Sequence, residues 1–309
     1  MKIIHGIKNL KRQSGPSVVV VGIFDGVHIG HRKIIEQAVK QAKSLNARPV
    51  AVTFDPHPEK ILRGRSAVAM LASLKHRLRI LDELGIELCL VMNFSRAIAR
   101  KGALEFMQQV LIRRLNMKML VVGGNFSFGR EKVHTEAALE AISDDLGFDV
   151  KIVRPLRHNS RTISSSLIRH LIENGKLRAA AKLLGRPVSI LGTVVKGRQR
   201  GRTIGFKTAN IDPHHEAIPP SGVYSAYSKL GSKRYKSVLN IGIRPTFKEK
   251  EPTIEVHLFG IDRRLYGRDI EICFGKRLRS ERRFRNKDHL RTQILKDATL
   301  AKETLRDVP

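Results

Sequence analysis

The chain has no tryptophan, and only 5% of its 309 residues are aromatic. Recognition of single-stranded nucleic acid by base stacking needs aromatic platforms, so this composition argues against it. Cysteine is nearly absent. Cys89 and Cys273 each lie in an apolar, strand-like run, LCLV and IEICF, and have the character of packing residues, not of a disulfide framework or a metal site. No apolar run is long enough to span a membrane, and the opening MKIIHGIKNLKRQSG lacks the apolar stretch of a secretory leader. A cytoplasmic chain with no membrane partner is expected. Acidic residues are scarce: 28 Asp and Glu stand against 58 Lys and Arg, a net charge of +30. That balance attracts polyanions in general. The basic residues are nevertheless spread through both halves without a long block, so no dedicated nucleic-acid partner is expected. Internal repeats and low-complexity segments are absent too, and nothing in the composition bears on oligomeric state.

What is present is a chain that is 41% hydrophobic, long enough for one or two domains with a sizeable core. Up to residue 184 apolar strand-like runs (18–23, 50–54, 88–94, 119–123 and 150–153) alternate with helical patterns (31–45, 73–84, 102–115 and 136–146). The runs lack strict alternation, as in strands buried on both faces of a parallel sheet. The expected class is α/β, a Rossmann-like open sheet with right-handed crossovers. Two short helices, 165–174 and 177–184, close this region. Beyond Arg186-Pro187 strand-like runs follow closely, at 188–195, 222–230, 235–241, 253–259 and 269–274. They predict a small antiparallel β-barrel. A last helix, 286–305, carries Leu290, Ile294, Ala298, Ala301 and Leu305 on one face, fit to dock on that barrel. The expected domains are therefore 1–184 and 185–309.

The most informative ten residues are GIFDGVHIGH, 22–31, between the first apolar run and the first helix. A strand, glycine-rich turn and helix in that order aim free backbone N–H groups and the positive end of a helix dipole at one spot, which suits a phosphate. Gly22, Phe24, Asp25, Gly26 and Gly30 form this candidate phosphate-binding turn, with glycines that permit tight turns and close approach. His28 and His31, at the helix start, can both donate to the same phosphate oxygens. A zinc site is the rival use of His-x-x-His, but both cysteines are distant and no carboxylate stands at ligand spacing on the helix.

GIFDGVHIGH resembles the HxGH motif of nucleotidyltransferases, and its Phe-Asp-Gly resembles the bacterial bifunctional riboflavin kinase/FAD synthetase family. Further stretches agree in order and spacing: TFDPHP (53–58), GGNFSFG (123–129), ISSSLIR (163–169), LLGRP (183–187), GRTIGFKTANI (201–211), GVYSA (222–226), NIGIRPTF (240–247) and EVHLFGIDRRLYG (255–267). The resemblance covers nearly the whole chain and both family domains.

It implies an adenylyltransferase domain for 1–184 and a riboflavin kinase barrel for 185–309, making FMN from riboflavin and ATP, then FAD from FMN and ATP. In the first domain it assigns His28 and His31 to adenylyl transfer. Ser164, Ser165, Ser166 and Arg169 take the place of a second phosphate-binding motif, whose alternative reading is a helix N-cap. Asn125 falls to the flavin, or is a plain loop asparagine. In the second domain Thr208 and Asn210 are the implied Mg²⁺ ligands and Glu255 the implied base. The basic loop holding Gly197, Gly201 and Gly205 would cover ATP phosphates; otherwise it is a surface turn. Readings in which one activity alone survives, or in which a basic nucleic-acid-binding protein reuses this scaffold, stand as alternatives.

The chain departs from the family pattern at several positions. Ser166-Leu167 stands where the family has Thr-Arg, Asn125 where Asp is commoner, and REKVHTE (130–136) where a Gly-containing basic loop is usual. Lys207 replaces the proline of Pro-Thr-Ala-Asn, and Gly260 stands where Asp is common. Lys207 can meet an ATP phosphate or compete with Mg²⁺.

Overall fold

The computed structural model describes residues 1–63, 69–100, 102–124, 126, 135–196, 206–214, 216–245, 250–282 and 284–305. It divides into two compact units, Met1–Ala69 with Leu74–Ser165, and Met70–Ser73 with Ser166–Pro309.

The first unit runs β1 (Lys2–His5), β2 (Ser17–Val21), α1 (Ile29–Ser44), β3 (Arg48–Asp55), α2 (Pro58–Arg63), α3 (Leu74–Glu83), β4 (Leu88–Asn93), α4 (Arg96–Ala99), α5 (Ala103–Phe106), β5 (Met117–Gly123), α6 (Glu136–Leu146), β6 (Asp149–Val153) and the hairpin β7 (Arg157–His158) to β8 (Arg161–Thr162). Its six-stranded sheet has the order β1-β4-β3-β2-β5-β6, with every pairing parallel. Alternate residues of each strand enter two separate cores. Val19 and Val21 join Val50, Val52, Leu88 and Leu90 on one face, under Phe106, Met107 and Leu111. Val18 and Val20 join Ala51, Cys89 and Val91 on the other, under Ile35, Ala38 and Ala42 of α1. Burial on both faces explains why the strands are apolar without alternation. The helical pattern over 102–115 is α5 followed by a π-helical segment, Met107–Ile112.

The order reverses beside β2: the chain passes from β2 outward to β3 and β4, then returns to place β5 on the other flank of β2. This is the switch point at which open α/β sheets leave a crevice beyond the strand ends.

In the second unit α7 (Ser165–Glu173, its first residue belonging to the first unit) and α8 (Leu177–Leu184) precede β9 (Ser189–Val195), β10 (Ala209–Asp212), β11 (Gly222–Leu230), β12 (Lys233–Pro245), β13 (Lys250–Leu258), β14 (Asp269–Arg279) and α9 (Lys287–Thr304). The strands close into a barrel, β10-β13-β12-β11-β14-β9, by antiparallel pairs. Leu239, Ile254 and Val256 are buried, whereas their neighbours Asn240 and Glu255 are half-buried on the opposite strand face. Asn286 caps α9 by accepting the N–H of His289, and Ala301 packs against Val223 and Val238. Arg279 on β14 donates to both carboxylate oxygens of Asp297 on α9, at 2.8 to 3.0 Å, and clamps the helix to the barrel.

Among the described residues, no helix is long and apolar enough to cross a membrane. Cys89 and Cys273 are free thiols, and burial pushes them up to about 12 and about 11, so neither is a ready nucleophile.

Candidate functional site

β2 ends at Val21, two residues before the apolar run does: Gly22 still donates to the Val52 carbonyl of β3 at 3.0 Å, but the backbone bends there and Ile23 continues into the turn. The turn itself is strained: Phe24, Gly26 and Val27 all have positive φ, at 52°, 74° and 39°. Such a conformation is natural for Gly26 but costly for a β-branched valine, and it persists only where the surroundings over-determine it. Asp25, Gly26 and Val27 are buried.

The turn delivers His28 as the N-cap of α1. Its Nδ1 accepts the backbone N–H of His31 at 3.4 Å, which leaves the proton of the neutral ring on Nε2. The two imidazoles stack with centroids 3.7 Å apart, and Phe24 meets His31 edge-on at 5.6 Å. Nδ1 of His31 is buried and has no partner among the described residues. Burial, with His28 alongside, pushes its pKa well below 6.5. At neutral pH the His31 ring is therefore uncharged, so it adds no second positive charge beside His28 and keeps one N–H to donate.

Gly22 and Gly30 serve by lacking a side chain. A Cβ on Gly30 would lie 3.2 Å from the His28 ring, and one on Gly22 would lie 3.0 Å from the Phe24 ring. Ser165, at the start of α7, donates its hydroxyl to the carbonyl of Asp25 at 2.9 Å, so the serine run and the turn share a hydrogen bond across 140 residues. Ser164 directly precedes it. Ser166 and the buried Arg169 continue along α7 in the second unit. Asn125, Gly197, Gly201 and Gly205 lie outside the described residues.

In the barrel, Glu255 on β13 stands opposite Asn210 on β10 and Asn240 on β12, so one carboxylate is flanked by two carboxamides on the same strand face. A Cβ on Gly242 would lie 2.8 Å from Oε1 of Glu281 and 3.5 Å from Nδ2 of Asn240, which brings a second carboxylate to this face. Thr208 lines a cavity of about 460 Å³ together with Lys207, Asp262, Arg263, Arg264 and Tyr266. His257 Nδ1 donates to the carbonyl of Lys207 at 2.8 Å, fixing the segment that carries Thr208 into β10 beside β13. The Lys207 ammonium is bonded to Asp262, a partner distinct from the ATP phosphate and the Mg²⁺ site named from the sequence.

Neutral oxygens of Thr208 and Asn210 near a carboxylate suit a hard cation whose other ligands are phosphate oxygens. No group of three or more His, Cys, Asp and Glu able to hold a metal by itself occurs among the described residues. The residues missed by sequence reasoning are Asn240, Glu281, Asp262 and the arginines of the cavity wall. Asn240 lies within the motif NIGIRPTF, and Asp262, Arg263 and Arg264 within EVHLFGIDRRLYG, where no pattern singles them out; Glu281 becomes visible only once the barrel closes.

A parallel sheet with HxGH on the turn beyond its central strand, followed by a closed barrel with an acid between two asparagines, defines a nucleotidyltransferase-type unit joined to a barrel unit. The FAD synthetase family model matches residues 10–167 and the riboflavin kinase model residues 184–305. Bifunctional riboflavin kinase/FMN adenylyltransferases of Haemophilus influenzae, Escherichia coli K12 and Bacillus subtilis are 35%, 36% and 36% identical to the chain. These alignments cover 98%, 98% and 96% of it, and 98%, 97% and 94% of the relatives. A crystal structure described as a macrolide-efflux protein from Streptococcus pneumoniae superposes with a TM-score of 0.85 at 30% identity, covering 98% of this chain and 99% of that one. The chain belongs to the bifunctional riboflavin kinase/FMN adenylyltransferase family.

Proposed function

We propose that the two units carry successive steps of one synthesis, with the functional boundary at 184/185. The barrel unit phosphorylates riboflavin with ATP to give FMN and ADP. The first unit then joins FMN to the adenylyl group of a second ATP, giving FAD and pyrophosphate. The stacked pair His28–His31, on a strained turn beyond the strand at the sheet's switch point, is the observation that carries the second step.

In adenylyl transfer an oxygen of the FMN phosphate attacks the α-phosphorus of ATP, and the bond to pyrophosphate breaks. The protein's task is alignment and neutralisation of charge on the phosphate oxygens. His28 and His31 donate to those oxygens, the backbone of residues 22–26 holds them, and Ser164, Ser165, Ser166 and Arg169 grip the triphosphate. Asn125 orients the flavin. In the kinase step Glu255 takes the proton of the riboflavin 5′-hydroxyl as that oxygen attacks the γ-phosphorus, and the bond to ADP breaks. Asn210 and Asn240 flank Glu255, and the loop of Gly197, Gly201 and Gly205 covers the phosphates. Thr208 and Asn210 would hold a divalent cation, here assigned as Mg²⁺, which supplies charge neutralisation at the β- and γ-phosphates. The same reading gives the enzyme small-molecule partners (riboflavin, FMN and ATP) and a cytoplasmic setting, where ATP is at hand.

The test separates the halves. Purified protein is given riboflavin, ATP and Mg²⁺, and FMN and FAD are resolved by chromatography. His31→Ala is expected to cut FAD formation from FMN by about 10²–10³ while FMN formation persists, the scale of one lost transition-state donor. Glu255→Gln is expected to abolish FMN formation and leave FAD synthesis from supplied FMN intact. Unchanged rates in either variant refute that residue's role.

A further inference from the structure

Arg77 is the largest fully buried side chain of the first unit, 1% exposed, although it carries a permanent charge. Leucine would fill such a position on α3 without desolvating a cation. The guanidinium's partners show what it does there. Nη1 donates to the carbonyl of Ile23 at 2.6 Å, to the hydroxyl of Thr53 at 3.1 Å and to the carbonyl of Phe54 at 3.4 Å. Nη2 reaches the same Phe54 carbonyl at 3.4 Å and the Asp55 carboxylate at 3.6 Å. Thr53 in turn donates to the Ile23 carbonyl at 3.1 Å. Nε has no partner among the described residues, so the bonds that Arg77 makes lie at the ends of β2 and β3.

Ile23 is the residue before the three positive-φ residues of the phosphate turn. Its carbonyl receives two donors, one from α3 and one from β3, and is thereby fixed from both sides. Burial lowers the pKa of Arg77, while Asp55 and the buried Asp25 raise it, which ties the cation electrostatically to the turn as well. A side chain this buried cannot touch a substrate, so whatever it contributes passes through the turn.

We propose that Arg77 is a positioning residue for adenylyl transfer, holding the Ile23 carbonyl so that the strained turn presents His28 and His31 in register with the phosphates. The inference rests on the reading of that turn as the adenylyl-transfer site.

Three variants test it: Arg77→Met, which keeps bulk and removes the donors; Arg77→Lys, which keeps the charge; and Thr53→Val, which keeps the β-branched shape and removes the hydroxyl link. Each is assayed for FAD formation from FMN and ATP, for riboflavin phosphorylation in the same preparation, and for thermal unfolding. Arg77→Met is expected to lower kcat of adenylyl transfer about 10- to 100-fold, as a misplacement of up to about 1 Å does, with KM for ATP shifted less than about threefold. Arg77→Lys is expected to recover part of that loss, and Thr53→Val to lose about threefold or more. Riboflavin phosphorylation should stay within about twofold of the parent in all three. If Arg77→Met does not fold, Arg77→Lys and Thr53→Val carry the test through the same kcat ratio. Parent-like kcat per folded molecule, or equal loss of both activities in step with unfolding, overturns the proposal. His31→Ala runs alongside. If it keeps full FAD synthesis, the reading of the turn fails and this inference with it; if it alone loses activity, only the role of Arg77 falls.

Discussion

Replacing Gly30 by alanine should separate activity from stability. Gly30 is the second residue of α1, and its φ is not in the left-handed region, so alanine meets no backbone penalty there. In a helix interior alanine is favoured over glycine by roughly 0.5–1 kcal/mol, and by less in a first turn. The added Cβ would lie 3.2 Å from Cε1 and Nδ1 of His28. Ordinary contact begins at about 3.5 Å, so to reach the near end of that range the ring must yield by roughly 0.3–0.5 Å. It has little room to do so, being stacked on His31 at 3.7 Å and holding the N-cap bond at 3.4 Å. If 1 Å of misplacement costs about 10²-fold, a third to a half of that costs about five- to tenfold. FAD formation from FMN should therefore fall about five- to tenfold, measured by chromatography under saturating substrates. Riboflavin phosphorylation in the same sample should be unchanged, and thermal unfolding should stay level or rise by about 1–2 °C. Parent-like FAD synthesis in a protein of equal or higher stability would refute the reasoning, because the position of the His28 ring would then not govern the rate.

Lys207→Pro should leave Asp262 without its cation at the cavity wall and raise KM for ATP in the kinase step about two- to threefold, within the range of an exposed pair. Asp262→Asn should lower it, and the double variant should return near the parent; no shift in any of the three would make the pair a bystander. Acidification should destabilise the first unit through His31. Its folded pKa lies below the 6.5 of the free side chain, so below about pH 6.5 the unfolded chain binds a proton that the folded chain refuses. Stability is then lost as pH falls, by up to about 1.4 kcal/mol per pH unit. Urea midpoints at pH 7.5 and 5.5 should draw closer in His31→Gln than in the parent, and an identical pH dependence in both would dismiss His31 as the source.

Strands were legible in the sequence wherever both faces are buried. SVVVV in β2 is buried at every position and is unmistakable. β1 was missed because it is an edge strand in which only Ile4 is buried, so KIIH offers neither a run nor an alternation. β10 was missed for a different reason: its four residues owe their conformation to β9 and β13 on either side, and only Ile211 is buried. The π-helical segment after α5 keeps the apolar periodicity of an ordinary helix, so the spacing of Phe106, Val110 and Leu111 could not announce it.

The site divides along the same line, between chemistry carried by neighbours in sequence and chemistry assembled from afar. The turn and its two histidines fall within ten residues, and glycines mark them because the His28 and Phe24 rings crowd the backbone there. Ser165 bonding to Asp25, and Asn240 beside Glu255, join residues that no local pattern connects. Arg77 lies between these cases. Leu74, Leu78 and Leu81 fall at helical spacing with Arg77 among them, and Leu78 and Leu81 are buried in the core above β2 and β3. A cation on the buried stripe of an amphipathic helix is a signal that periodicity alone can flag, since burying it without carbonyl acceptors would cost more than the helix gains. What periodicity cannot supply is the identity of those acceptors. They are the ends of β2 and β3, which parallel pairing sets side by side at the one place where the sheet order reverses. The charge that looks misplaced on α3 is thus accounted for by the topology that creates the crevice.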